Sequence, residues 1–310
     1  MSHAFGPCSP LGPGTAAPSW VGFLADQASR DASRLLYLDS LAARGRARAY
    51  APIASGRQLL QTPTYVVRTR LGMPPPQLLL AVDTSNDAAG AAGARAWPAV
   101  VPVADQGHVP ATFSYCLPSF KSLNFSGTLR LGRNGQPQRI KTTPLMANPH
   151  RSSLYYVNMT GIRVGKKVVP IPAPALAFDP ATGAGTVLDS GTMFTRLVAP
   201  AYVAVRDEVR RRVGAPVSSL GGFDTCFNTT AVAWPPVTLL FDGMQVTLPE
   251  ENVVIHSTYG TISCLAMAAA PDGVNTVLNV IASMQQQNHR VLFDVPNGRV
   301  GFARERCTAA

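Results

Sequence analysis

Two aspartates in this chain each follow a short apolar run and precede small polar residues. Asp189 directly follows the run Gly185–Leu188 and is the first residue of the sequence Asp-Ser-Gly-Thr. Asp83 closes the apolar run 78–82 and opens the sequence Asp-Thr-Ser-Asn. Two carboxyl groups in contact cannot both ionise, so they share one proton, and one then acts as a base towards a water while the other acts as an acid. The pattern therefore predicts a site for acid/base chemistry built from two carboxylates.

The residues that follow each aspartate have types that suit such a site. A carboxylate that must face a second one needs a rigid strand behind it, a small hydroxyl residue beside it and a glycine where the backbone turns sharply. We therefore expect Thr84 and Ser190 to brace the pair, Gly191 to allow the turn, and Thr192 to hydrogen-bond to Asp189.

Several segments between Phe113 and Cys307 together carry a resemblance to a known family. The matching segments are Phe-Ser-Tyr-Cys-Leu at 113–117, Leu-Tyr-Tyr-Val at 154–157, Asp-Ser-Gly-Thr at 189–192, Phe-Asp-Thr-Cys-Phe at 223–227, Gln-Gln-Gln-Asn at 285–288 and Gly-Phe at 301–302. This region resembles the C-terminal part of the plant pepsin-like aspartic proteases of the nepenthesin type. The resemblance implies an all-β, pepsin-like fold and an aspartic-type endopeptidase. Asp83 and Asp189 would be its catalytic residues, protein or peptide its substrate, and it would need no metal or organic cofactor.

Residues 65–87 resemble the strand, proline turn and strand that lead to the first catalytic aspartate of that family, with the turn at 71–76. The chain is most similar to a subgroup in which Asp-Thr-Ser-Asn replaces the usual Asp-Thr-Gly-Ser. Ser85 thus adds a Cβ where the family usually has glycine, which is expected to reshape the site or lower its activity.

The resemblance breaks off after Asp87. The family has a long segment there, with a flap, a cysteine-rich insert and the second half of the N-terminal lobe, whereas this chain has only the Ala/Gly/Pro-biased bridge 88–112, which lacks an extended strand pattern. We therefore expect an internal deletion. The predicted divisions are a propeptide-like segment at 1–62, a truncated N-terminal lobe at 63–112, and the lobe junction with a largely complete C-terminal lobe at 113–310. A truncated lobe should leave apolar strands uncovered and make the chain a poor protease, and the alternatives are an inactive binding or inhibitor protein and a non-functional fragment.

The first part of the propeptide-like segment carries a helical signal. Ser19 is placed to cap a helix extending to about Ala43. This segment contains six arginines but only three aspartates. Its basic composition fits two interpretations equally well: a basic prosegment lying over an acidic cleft, or a surface helix with a disordered tail. A second helix is predicted from about Pro200 to Val213, followed by Gly214. The run 277–281 resembles the strand that crosses behind the second aspartate.

Composition agrees with a globular protein and favours no membrane or metal function. The 310 residues are 46% hydrophobic and 14% charged, and no apolar run approaches the roughly 18 residues of a membrane span. The net charge of +10 raises nucleic acid as a partner, but the charge is dispersed and glutamate first occurs at Glu208, so a nucleic-acid partner is not favoured.

The cysteines show no Cys-x-x-Cys spacing and do not cluster with the histidines, so a zinc site is not predicted. The family resemblance implies disulfides Cys226–Cys264 and Cys116–Cys307, with Cys8 left over. Buried free thiols are the alternative interpretation for all five.

Three sequons, at Asn124, Asn158 and Asn228, favour glycosylation and the secretory route. The first residues show neither a basic n-region nor an apolar h-region, so no signal peptide is visible. The family implies an extracellular or secretory location, and the plastid is the alternative.

Overall fold

The structure is a computed structural model that describes residues 22, 51–57, 62–70, 77–85, 99–101, 112–133, 136–228, 232–257, 260–271 and 277–308. Of the predicted helix of the propeptide-like segment, only Gly22 is described, and it is helical. The proline turn at 71–76, most of the bridge 88–112, and Cys8 lie outside the described residues.

The regular secondary structure of the described residues is mostly β-strand with few helices, as predicted. The strands before the second aspartate are β1 Ala51–Ser55, β2 Tyr65–Arg70, β3 Gln77–Val82, β4 Ala99–Val101, β5 Thr112–Cys116, β6 Gly127–Leu131, β7 Lys141–Met146, β8 Tyr155–Val157, β9 Met159–Val164, β10 Lys167–Val168 and β11 Gly185–Leu188. Those after it are β12 Thr195–Leu197, β13 Val217–Leu220, β14 Phe223–Phe227, β15 Val237–Phe241, β16 Met244–Leu248, β17 Val254–His256, β18 Ser263–Leu265, β19 Met267–Ala269, β20 Leu278–Ile281, β21 His289–Asp294 and β22 Arg299–Arg304.

Two described α-helices accompany the strands: α1 Ala199–Val213 and α2 Ser283–Gln286. Short 3-10 helices lie at Ala173–Ala175, Glu250–Asn252 and Val295–Asn297. Helix α1 agrees with the prediction, because a proline lies in its first turn and Gly214 ends it with a left-handed φ of 65°.

One large sheet joins both halves of the molecule. Its strand order is β19-β12-β20-β11-β8-β7-β22-β21-β5-β6-β1-β2-β3-β4, and two four-stranded sheets, β10-β9-β15-β16 and β13-β14-β18-β17, belong to the C-terminal half. In β16 the apolar side chains of Met244, Val246 and Leu248 are buried while the polar ones between them are exposed, as the two-residue period of a strand requires.

The centre of the large sheet is aromatic. Phe113 of β5 stacks on Phe293 of β21 with ring centroids 4.6 Å apart, and Tyr155 of β8 packs on the same phenylalanine at 4.6 Å. These rings join three strands that are far apart in sequence into one core, which the sheet then extends towards both aspartates.

Strand β1 changes one predicted boundary. Ala51–Ser55 was assigned to the propeptide-like segment 1–62, but it lies inside the large sheet, where Ile53 pairs with Val67 of β2 and with Gly127 of β6. A segment that lies between two strands has its backbone N–H and C=O groups hydrogen-bonded on both sides, and this explains why the mainly apolar segment β1 joins the sheet. The last part of the segment 1–62 thus pairs into the large sheet, and the predicted end of the propeptide-like segment at residue 62 stays a prediction.

The N-terminal lobe is also better covered than the bridge composition suggested. A truncated lobe is expected to leave apolar strands open, yet the apolar side chains described for β2 and for the end of β3 are buried, as are those of β1 apart from the half-buried Pro52. Part of the bridge also forms β4, which pairs in parallel with β3. A three-residue strand is too short to be recognised by its period, which is why the sequence did not indicate it.

Candidate active site

Strand β3 delivers Asp83 to the end of the sheet between two partners. Val82, the last residue of the strand, pairs with Tyr65 of the antiparallel strand β2 and with Val101 of the parallel strand β4. Asp83 follows directly and is 3% exposed. The first aspartate is thus held by a strand whose neighbours fix it from both sides.

Strand β11 delivers Asp189 in the same way. Leu188 pairs with Tyr155 of the antiparallel strand β8 and with Ile281 of the parallel strand β20. Asp189 follows and is 1% exposed. Both aspartates therefore leave a strand that has one antiparallel partner presenting a tyrosine and one parallel partner, so the two frames have the same strand arrangement. The parallel strand β20 corresponds to the predicted strand behind the second aspartate.

The two aspartate turns are bound to each other through the residues that follow the aspartates. The amide N–H of Thr84 donates to the hydroxyl of Ser190 at 3.1 Å, and the amide N–H of Ser190 donates to the hydroxyl of Thr84 at 3.0 Å. The Thr84 hydroxyl donates onward to the carbonyl of Leu188 at 3.2 Å, and the Ser190 hydroxyl to the carbonyl of Val82 at 3.3 Å. Each hydroxyl thus binds one N–H and one C=O of the opposite segment, which brings the two turns together.

Each carboxylate receives donors from its own turn. At Asp189, the N–H of Gly191 donates to Oδ1 at 2.9 Å and the hydroxyl of Thr192 donates to Oδ2 at 2.5 Å. At Asp83, Ser85 donates to Oδ1 from its N–H at 3.0 Å and from its hydroxyl at 2.8 Å. These bonds hold each buried carboxylate in one orientation.

The hydrogen bond from Thr192 to Asp189 is the one expected from the sequence, whereas the bonds from Ser85 to Asp83 were not expected. The bracing roles of Thr84, Ser190 and Gly191 stay predictions. From the sequence, Ser85 is expected only to add a Cβ at the turn. Among the described residues, the sole non-glycine residue with positive φ is Asn288, so Ser85 occupies its position without left-handed strain. The sequence did contain a signal for this role of Ser85: the hydroxyl residue lies two positions after Asp83 in the first motif and three positions after Asp189 in the second.

Gln286 is a second residue whose role the sequence analysis did not give. Its side-chain amide donates to the carbonyl of Ile281 at 2.8 Å and to the carbonyl of Asp189 at 3.3 Å, and its Oε1 accepts a hydrogen bond from the hydroxyl of Tyr115. Burial, followed by the negative charge of Asp189, raises the pKa of Tyr115 well above its ordinary value. Tyr115 therefore stays neutral and remains a hydrogen-bond donor. This chain of contacts ties β5 to the backbone of the second aspartate.

The neighbouring Gln285 holds the same region from the other side. Its Oε1 accepts from the N–H and hydroxyl of Thr195 at 3.1 and 2.7 Å, and its amide donates to the carbonyls of Asn252 and Ala266 at 2.7 and 3.1 Å. Uncharged amides between two apolar strands indicate buried polar contacts, and this was the available signal for both glutamines.

The structure contains both disulfides that the family resemblance implied. Cys226 and Cys264 are paired across strands β14 and β18. Cys116 at the end of β5 is bonded to Cys307 near the end of the described chain. The second bridge joins the lobe junction to the segment after β22.

Three further features bear on the predicted sites. Asn124 and Asn228 are exposed, whereas Asn158 is half-buried between β8 and β9. Within the described residues there is no group of three or more His, Cys, Asp or Glu side chains able to hold a metal ion. None of the helices that the structure describes has the length and apolar character needed to cross a bilayer.

The sequence of this chain is similar to those of known plant proteins. A family model described as Xylanase inhibitor C-terminal matches residues 154–304. Aspartyl protease AED3 of Arabidopsis thaliana is 37% identical over 402 aligned residues, which cover 97% of this chain and 89% of that protein. The chain belongs to the plant aspartyl protease family.

Two further relatives match over less of their length. Aspartyl protease 25 of Oryza sativa subsp. japonica is 59% identical over 202 residues, covering 63% of this chain and 46% of that protein. Nepenthesin-1 of Nepenthes gracilis is 34% identical over 207 residues, covering 64% of this chain and 46% of that protein. The chain thus spans a little under half the length of these two relatives.

The length of the AED3 alignment bears on the predicted deletion. It runs over 402 positions and this chain has 310 residues, so at least 92 aligned positions have no counterpart here. An internal gap has this effect, and its location at the bridge 88–112 stays a prediction.

Solved structures support the fold. The structure of edgp aligns with a TM-score of 0.64 at 16% identity, covering 86% of this chain and 97% of that one. The Basic 7S globulin from soybean aligns with a TM-score of 0.59 at 15% identity, covering 83% and 96%. At these identities the likeness establishes the all-β, pepsin-like fold alone.

Proposed function

We propose that this chain is an aspartic endopeptidase in which Asp83 and Asp189 together activate one water for attack on a peptide carbonyl. The observation that carries the proposal is the reciprocal hydrogen bonding of Thr84 and Ser190, because it joins two strand-to-aspartate turns that are separated by about a hundred residues. Two carboxylates sharing one proton are the established arrangement of this enzyme class.

The chemistry needs each member of the pair in a different protonation state. One carboxylate removes a proton from the water as it attacks, and the other donates a proton to the carbonyl oxygen. The donors at the two turns fix the carboxylate orientations, and no metal or organic cofactor has a step in this reaction. For the pair to act together, their carboxyl groups must lie within hydrogen-bond reach or one bridging water of each other.

The test is hydrolysis of denatured globin at acidic pH by the purified 310-residue chain. Asp83→Ala and Asp189→Ala should each abolish turnover, and pepstatin should inhibit it. Asp179→Ala is a matched control. Asp179 accepts bonds from the N–H two residues on and the hydroxyl three residues on, at 2.9 and 2.7 Å, as Asp189 does, but in a solvent-exposed turn. Full activity of either dyad variant would contradict the proposal.

We expect the turnover of the wild-type chain to be low. In a pepsin-like enzyme both lobes form the cleft, and positioning of substrate can supply roughly 7 to 11 kcal/mol of barrier lowering. A chain that lacks the flap and the far half of its N-terminal lobe would hold the carboxylates in a wetter groove. Turnover comparable to that of AED3 in the same assay would show that the bridge 88–112 replaces what is missing.

The runner-up is a binding protein without protease activity. It is favoured by the match to the family model described as Xylanase inhibitor C-terminal and by the aligned positions without counterpart. Its signature would be pepstatin or protein binding that survives Asp189→Ala, with no hydrolysis by the wild type. A non-functional fragment would show neither binding nor hydrolysis. Passage through the secretory route is part of the proposal for either functional protein and is supported by the two disulfides.

A further inference from the structure

The two aspartate turns carry their hydroxyl groups at different positions. After Asp189 the residue two positions on is Gly191 and the residue three positions on is Thr192. After Asp83 the residue two positions on is Ser85 and the residue three positions on is an asparagine. The first motif thus has its hydroxyl one residue earlier than the second.

Despite this shift, both carboxylates receive one backbone N–H and one hydroxyl donor. Asp189 receives them from Gly191 and Thr192, at 2.9 and 2.5 Å. Asp83 receives both from Ser85, at 3.0 and 2.8 Å. Ser85 is 1% exposed, so its hydroxyl satisfies a buried carboxylate rather than competing with water.

We propose that Ser85 is a positioning residue that does for Asp83 what Thr192 does for Asp189. This inference rests on the proposed function and concerns the same site. It differs from the sequence-based expectation, in which the Cβ of Ser85 reshapes the site or lowers its activity.

The two turns then differ in one chemical respect. At Asp189 the two donors are divided between Oδ1 and Oδ2, whereas at Asp83 both donate to Oδ1. An oxygen that accepts two donors cannot also carry a proton in the same plane without losing one of them. Ser85 alone engages Oδ1 of Asp83 twice, so a proton placed on that oxygen would cost one of these two bonds.

The variants that test this move or remove the hydroxyl. Ser85→Ala removes it and keeps the Cβ, and Ser85→Gly removes both. Ser85→Gly combined with Asn86→Thr returns a hydroxyl at the position that Thr192 has in the second motif. Thr192→Val is the matched loss at the other aspartate.

In the globin assay, Ser85→Ala, Ser85→Gly and Thr192→Val should each lower kcat/KM about 10-fold or more, with most of the loss in kcat, because a hydrogen bond to a charged group is removed. The double variant should recover most of the loss of Ser85→Gly. A serine that acts only through its bulk predicts the reverse, since the glycine variant alone would then match or exceed the wild type. That result would overturn the proposal.

Thermal unfolding separates this proposal from the protease proposal. The single variants should lower Tm by about 2 to 4 °C for each kcal/mol lost, and the double variant should recover it, whether or not the chain hydrolyses globin. An inactive wild type with this Tm pattern would reject the protease activity and keep the role of Ser85. Equal Tm for Ser85→Gly and the double variant, in an active or an inactive protein, would reject the role of Ser85.

Discussion

Thr84 and Ser190 each donate a backbone N–H to the other's hydroxyl, across 106 residues of sequence. Both residues are buried, so the N–H group that loses its acceptor when one hydroxyl is removed cannot bind water instead. The exchange links the two aspartate turns directly, so we expect both the stability of the junction and the proposed reaction to depend on it.

The first prediction removes one hydroxyl of this exchange. Thr84→Val should lower the free energy of unfolding by about 1 to 3 kcal/mol, because the N–H of Ser190 loses its acceptor in a buried place. Urea denaturation measures the change, and Thr84→Ser is the control because it keeps the hydroxyl. Equal midpoints for the two variants would mean that the exchange contributes nothing measurable.

The second prediction concerns the disulfides. Non-reducing peptide mapping of protein from a secretory host should recover Cys226 linked to Cys264 and Cys116 linked to Cys307. Their sequence separations of 38 and 191 residues imply stabilisation of about 4 and about 5 kcal/mol by loop closure.

Replacing each pair by alanines and measuring unfolding by denaturant tests those values. Cys8→Ser is the control, since the family pairing leaves that cysteine over. Recovery of all five cysteines as free thiols would contradict both the pairing and the secretory assignment.

The third prediction concerns stability in acid. The Nδ1 of His289 is hydrogen-bonded to the carbonyl of Gln287 at 2.9 Å. Burial lowers the pKa of His289, and the positive charge of Arg304 lowers this pKa further. The bond to Gln287 and the negative charge of Glu251 act in the opposite direction, but the pKa remains lowered. The folded state therefore binds fewer protons than the unfolded state. Stability should be lost as pH falls below the ordinary histidine pKa of about 6.5.

Unfolding midpoints measured between about pH 7 and pH 5 test this. His289→Gln keeps a donor without the titration and should show a smaller loss over the same range. A steeper loss in His289→Gln than in the wild type would contradict the prediction.

The fourth prediction concerns the three sequons. Asn124 and Asn228 are exposed and should carry glycans in protein from a secretory host. Asn158 should be occupied only in part, because the residue is half-buried and its backbone carbonyl accepts the N–H of Asp242 at 3.1 Å in the folded sheet. Glycopeptide mass spectrometry measures the occupancy of each site, and full occupancy at Asn158 alone would contradict this ranking.

The sequence by itself determined the features that depend on near neighbours. Helix α1 is bounded by a proline at its start and a glycine at its end, and the apolar runs before Asp83 and Asp189 form strands because their side chains have a core to enter. The family resemblance added the disulfide pairing. All of these follow from residue types within a few positions or from the order of the family's motifs along the chain.

Only the tertiary structure decided which distant groups meet. Ile53 pairs with two strands of the large sheet, although its segment had been assigned to a propeptide. The amide of Gln286 binds the backbone carbonyl of Asp189, which lies 97 residues away in sequence. A hydrogen bond needs its partners within about 3 Å and well aligned, and a local sequence pattern fixes neither distance nor direction between residues that the fold brings together from far apart.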